Sequence, residues 1–159
     1  MTGARPDSGC VFCAARDEGM THHLVVWCGA TALVILNKYP YNNGHLMVVP
    51  HRHVSSLGAL SPGEWQEVAL LTQRAEAVLQ LAYRPAGINV GINLGKAAGA
   101  GIDDHLHVHL VPRWAGDTNF ITAIGETRVL PESLDAAAQR LRPIFGAVMA
   151  AADGDQAVV

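Results

Sequence analysis

A chain of 159 residues has the length of one ordinary domain and can bury a substantial core. Half of its residues are hydrophobic and 16% are charged, a globular rather than a disordered composition. The formal net charge of −3 argues against a nucleic-acid partner, because a phosphate backbone is met by a basic surface. Any phosphate must then be held locally, by a few placed donors. No apolar run approaches the ~20 residues that span a bilayer, and MTGARPDSG at the N-terminus lacks the apolar stretch of a signal peptide. The expectation is a soluble, cytoplasmic protein without membrane contacts.

In chain order, residues 1–9 read as a flexible lead-in to a single domain over residues 10–150. Leu24–Trp27 and Ala32–Leu36 are apolar, β-branched strands joined by a turn at Gly29-Ala30. After the loop NKYPYNNG, His45–Val49 reads as a third strand, stopped by Pro50. Ser61 can cap a helix with Pro62 at its first position and Glu64 closing a capping box. The helix then runs from Glu64 to Leu81, with Trp65, Val68, Leu71, Ala75, Val78 and Leu79 on its inward face. Pro85 and Gly87 end it. Ile88–Leu94 is a fourth strand, followed by the loop GKAAGAG, and His105–Val111 is a fifth. A second amphipathic helix spans 131–150, and residues 151–159 read as a frayed tail. The sum is an α+β fold, one antiparallel five-stranded sheet with a long helix and a C-terminal helix packed on it.

HLHVHLVP at residues 105–112 carries the strongest chemical signal. A strand alternates its side chains, so His105, His107 and His109 share one face while Leu106, Val108 and Leu110 face the core. Three imidazoles in a row can act as nucleophile, proton carrier, metal ligand or anion donor near neutral pH. Against a solvated histidine row or a pure metal site stand the strict alternation and the glycine-rich loop just before it. Gly95, Gly99 and Gly101 suit a phosphate-cradling loop, although the same glycines can mark no more than a tight turn. Trp27 can stack on a base or pack a strand. Cys10-x-x-Cys13 offers two thiolates, half of a tetrahedral metal site, with a redox pair or two plain thiols as alternatives. A redox pair of the thioredoxin type belongs beside a βαβ unit, which the pattern lacks. Cys28 reads as a small core residue.

The H-x-H-x-H run resembles the histidine triad motif of the HIT superfamily of nucleotide hydrolases and transferases. Asn37, Gly44-His45, the apolar strand into Pro50, the turn at Arg52-His53 and Asn93 follow that family's order over about residues 10–115. Past the triad, Arg113-Trp114, Gly116-Asp117, Asn119-Phe120 and TRVLPESL look like the branch of diadenosine tetraphosphate phosphorylases and fragile-histidine-triad-like hydrolases. The resemblance implies a HIT-like fold, a homodimer, and His107 as nucleophile toward an α-phosphorus, giving a nucleotidyl-histidine intermediate. It implies that His109 and His45 hold phosphate oxygens, with backbone N–H groups near Gly101 assisting, and that Asn37 and Asn93 contact the nucleotide.

Dinucleoside polyphosphates such as diadenosine tetraphosphate or triphosphate are the implied substrates, split by water or by inorganic phosphate. Many relatives carry glutamine or serine three or four residues before the first triad histidine, where this chain has Gly101 and Ile102. That departure weighs against simple hydrolysis and toward phosphate as acceptor. The rival readings are a nucleoside phosphoramidate hydrolase and a non-catalytic nucleotide-binding module. In zinc-bearing members the two cysteines are joined by the histidine of the post-strand turn and the first triad histidine. The implied ligands of a structural Zn2+ are therefore Cys10, Cys13, His53 and His105, with His51 as the substitute for His53.

Overall fold

A computed structural model describes residues 9–117 and 132–155. Five strands form one antiparallel sheet: β1 (Val25–Cys28), β2 (Ala32–Leu36), β3 (Leu46–Pro50), β4 (Gly87–Ile92) and β5 (Val108–Arg113). Their spatial order is β1-β2-β3-β5-β4, so β5 inserts between β3 and β4. Among the described residues three α-helices accompany them: α1 (Val11–Glu18), α2 (Pro62–Tyr83) and α3 (Leu134–Asp155). Every residue of β2 and β3 is buried, which accounts for their unbroken apolar runs. Fully buried Leu33, Leu36, Leu46 and Leu110 each contribute roughly 1.5–3 kcal/mol of transfer free energy.

The capping box expected at Ser61 is formed: its hydroxyl accepts from Glu64 N–H, and the Glu64 carboxylate accepts from Ser61 N–H. Arg52 joins that carboxylate, and the two partners hold the Glu64 pKa down at about 2. The buried stripe of α2 is Val68, Leu71, Ala75, Val78 and Leu79. Trp65, expected in the core, is 42% exposed, because it stands in the first turn ahead of that stripe. Trp27 packs within the fold, stacked on Phe145 of α3 at 5.6 Å between ring centroids. Arg142 ties α3 to the start of β1, donating from Nε to the Val25 carbonyl and from Nη2 to the carbonyls of His22 and His23.

Three further readings of the sequence change. The helix α1 had no counterpart among the expected elements; it buries Phe12, Cys13 and Ala15. The helix α3 continues to Asp155, through five residues assigned to the frayed tail. The fifth strand starts at Val108 and not at His105. Pro50 explains this last difference. The β3–β5 register pairs Val48 with Val108, so continued pairing would set Leu106 opposite Pro50, which has no N–H to donate. Leu106 N–H turns instead to the Val54 carbonyl at 2.6 Å. Asn119, Phe120 and the segment TRVLP lie outside the described residues. Among the described residues no helix is long and apolar enough to cross a membrane.

Candidate active site

Since the strand begins at Val108, His105 and His107 sit in the approach to β5, and only His109 belongs to it. His105 is 1% exposed and His107 4%, so the triad is not an open row of imidazoles. Phe12 of α1 packs against both rings, at 5.4 Å and 5.1 Å between centroids. Leu106, Val108 and Leu110 are buried, as their alternation requires.

The hydrogen bonds assign a tautomer to each ring. His107 donates from Nδ1 to the His105 carbonyl at 2.8 Å, which leaves the lone pair on Nε2. Burial lowers the His107 pKa against the opposing pull of that carbonyl bond, so the ring is neutral at neutral pH. A neutral Nε2 with its lone pair is the form that can attack phosphorus. His45, with Gly44 before it at φ +72°, is fully buried behind His109. A Cβ at Gly44 would meet the Tyr83 ring at 2.6 Å, so glycine is required on both counts. Tyr41 N–H donates to His45 Nδ1 at 3.1 Å, and His45 Nε2 donates to His109 Nδ1 at 2.9 Å. His109 is thereby fixed as the tautomer that presents an N–H from Nε2. Burial, with a smaller contribution from His107, holds its pKa at about 4.

His45 therefore meets His109, and its buried ring does not line the cavity beside that histidine, where the resemblance had it holding a phosphate oxygen. That cavity, ≈ 340 Å³, is lined by Asn93 and His109 at one end and by Asn42, Asn89, Arg113 and Asp117 at the other. Tyr41 also lines it, with its ring 6.2 Å from that of His109 between centroids. Asn37 turns into its own loop, accepting from Tyr39 N–H at 2.9 Å, with Nδ2 3.5 Å from His45 Nδ1. Gly95 and Gly99 have φ of +80° and +87° and form a tight turn, and Gly101 is exposed beyond it. From sequence Arg113 could reach a distal phosphate or stand as a plain surface arginine. The structure pairs it with Asp117, four residues on, and adds Asn42 and Asn89, which local pattern could not join to it because they come from distant parts of the chain.

Cys10 caps α1 and Cys13 lies one turn further, so the helix aims both sulfurs at one point. Cys10 Sγ is 3.2 Å and Cys13 Sγ 3.7 Å from His105 Nδ1, and Cys13 Sγ is 3.4 Å from His53 Nδ1. The four donor atoms all lie within 4.8 Å of one another. His105 donates from Nε2 to the Pro50 carbonyl at 2.9 Å, which turns the Nδ1 lone pair toward the sulfurs. His53 Nε2 faces Asp104 at 3.8 Å, the outer contact that orients a metal-binding imidazole. Two thiols and two imidazoles, closed by protein, are a donor set suited to a tetrahedral cation. His51 is not among them; its Nε2 faces half-buried Cys28 at 3.9 Å. Asp103 pairs with Lys96, and His22 and His23 stack on each other away from the triad.

With this geometry in place, the comparisons with known proteins agree on a class. Residues 20–116 match the HIT domain, and the chain belongs to that family. It is 53% identical over 111 residues to the AP-4-A phosphorylase of Mycobacterium tuberculosis, covering 70% of this chain and 57% of that one. The chain thus spans little more than half the length of that relative. It is also 32% identical over 82 residues to the asymmetrical bis(5'-nucleosyl)-tetraphosphatase of Schizosaccharomyces pombe, covering 52% of this chain and 44% of the relative. The fold is similar to the crystal structure of a zinc-bound histidine triad family protein from Mycobacterium smegmatis, with 26% identity and a TM-score of 0.73. That likeness covers 91% of this chain and 99% of the other.

Proposed function

We propose that this chain cleaves dinucleoside polyphosphates, with His107 Nε2 attacking a phosphorus and releasing the remaining nucleotide. The observation that carries the reading is the 2.8 Å bond from His107 Nδ1 to the His105 carbonyl, which leaves a neutral, unprotonated Nε2. His109 presents its Nε2–H for a phosphate oxygen or the leaving group, and Asn93 shares its end of the cavity. The second step transfers the nucleotidyl group from His107 to an acceptor and restores the ring. Likeness to a protein named AP-4-A phosphorylase, together with Gly101 and Ile102 before the triad, favours inorganic phosphate as that acceptor.

Product analysis of diadenosine tetraphosphate incubated with and without inorganic phosphate tests this reading. ADP plus ATP, formed only with phosphate, is the expected result. AMP plus ATP without phosphate would make the enzyme an asymmetrical hydrolase, and no product in either tube would overturn the proposal.

The cation proposed for Cys10, Cys13, His53 and His105 is Zn2+, supported by the thiolate–imidazole donor set and by the zinc-bound neighbour. With all four ligands supplied by protein, its role is to hold α1, the turn at His53 and the approach to β5 together. A cytoplasmic setting suits the three cysteines, none of which is in a disulfide. We further propose a homodimer formed through edge strand β4, whose Val90 is 53% exposed beside the outer face of α2. Sedimentation velocity should show a species of twice the chain mass, and Val90→Lys should shift it to the monomer. A wild-type monomer at micromolar concentration would exclude the dimer.

A further inference from the structure

The cavity beside His109 continues along β5 well past the chemistry. His109, Val111 and Arg113 alternate onto the same face of the strand, and β4 supplies Gly91 and Asn89 opposite the first two. Arg113 lies four steps along the strand from His109, on the order of 13 Å at ~3.3 Å per residue. The ribose hydroxyls of a nucleoside attached directly to the attacked phosphorus lie only a few bonds from it and fall short of that interval, whereas a ribose beyond a chain of phosphates spans it.

The far end has a definite chemical character. Arg113 donates to Asp117 from Nε at 2.6 Å and from Nη2 at 2.9 Å, and to Asn89 Oδ1 from Nη1 at 3.0 Å. Asn42 Nδ2 donates to Asp117 Oδ2 at 3.0 Å and to the Pro112 carbonyl at 3.1 Å. The guanidinium charge is balanced by the carboxylate, so this end is no anion trap. It offers instead a neutral set of amide, carboxylate and guanidinium groups, all bordering the cavity, of the kind that exchanges hydrogen bonds with hydroxyls. The Arg113 side chain is 43% exposed, within reach of a molecule lying in the groove.

We propose that this end binds the ribose of the departing nucleotide, whose phosphates run along β5 from His109 and Asn93. The inference rests on the nucleotide reading above and extends it: the groove makes the length of the phosphate chain a determinant of affinity. Asn89, Arg113 and Asp117 are then specificity residues, remote from the bond that breaks.

Binding, rather than turnover, separates this idea from the reading beneath it. Calorimetry would compare AMP with a diadenosine tetraphosphate analogue carrying methylene groups in place of the bridging oxygens. In the wild type the analogue should bind at least about tenfold more tightly than AMP, the value of one or two added hydrogen bonds to a charged group. In Asn89→Ala and Asp117→Asn that advantage should fall about tenfold. Thermal unfolding of each variant would establish that it folds, and Asn89→Ala alone suffices if the other does not. An unchanged ratio, or equal weakening of both ligands, would overturn the groove assignment. If the wild type binds neither ligand, the nucleotide reading itself fails along with it.

Discussion

His107→Ala should lose turnover by ~10⁴-fold or more, because it removes the imidazole proposed to form the first covalent bond. At 1.36 kcal/mol for each factor of ten, that is about 5 kcal/mol or more of transition-state stabilisation. His107→Asn is the cleaner companion variant, since its amide can still donate to the His105 carbonyl that now receives the ring Nδ1–H. Both proteins should keep the wild-type far-ultraviolet spectrum. Rapid-quench mass spectrometry of the wild type should find a chain heavier by one nucleotidyl group, and neither variant should form it. Turnover near the wild-type rate in either variant would end the nucleophile assignment.

Metal removal should have the largest effect on stability. Elemental analysis should find about one zinc per chain in the wild type, and Cys10→Ser or Cys13→Ser should lose most of it. Cys13 is 2% exposed and His105 1% exposed, so stripping the cation leaves polar groups at a buried junction of α1 with the sheet. A loss of more than about 3 kcal/mol in chemical unfolding is expected, since metal binding is folding free energy wherever the site exists only in the folded chain. Exhaustive chelation of the wild type should reproduce the loss, and added zinc should reverse it. Zinc stoichiometry unchanged in Cys10→Ser would refute the site.

Much of this architecture is legible in short-range pattern. Unbroken apolar runs mark β2 and β3 because strands buried on both faces leave no room for polar alternation. Ser61 and Glu64 mark the start of α2 because a capping box is a local arrangement three residues apart. Alternation in HLHVHLVP places Leu106, Val108 and Leu110 inward. The same alternation misstates where the strand begins, because the missing donor is Pro50, on another strand and 56 residues before Leu106. Helix α1 is hidden for a different reason. VFCAARDE is one short stretch with no side-chain cap, and its burial of Phe12 depends on imidazoles more than ninety residues away. The far end of the groove is likewise tertiary, assembled by Asn42, Asn89 and Asp117 from three separate loops and strands around Arg113.

The bond from His107 to the carbonyl two residues before it has a consequence for how such a chain can diverge. In many enzymes the reactive tautomer of a histidine depends on a distant carboxylate, and drift at either position disables the pair. Here the orienting acceptor is main chain, which substitution cannot delete. On the proposed role of His107, the face of the ring that reacts is set by the path of three consecutive residues, and the surrounding side chains are left to vary. A scaffold built this way can be fitted with new grooves, and so with new leaving groups, while the chemistry at its centre is inherited unaltered.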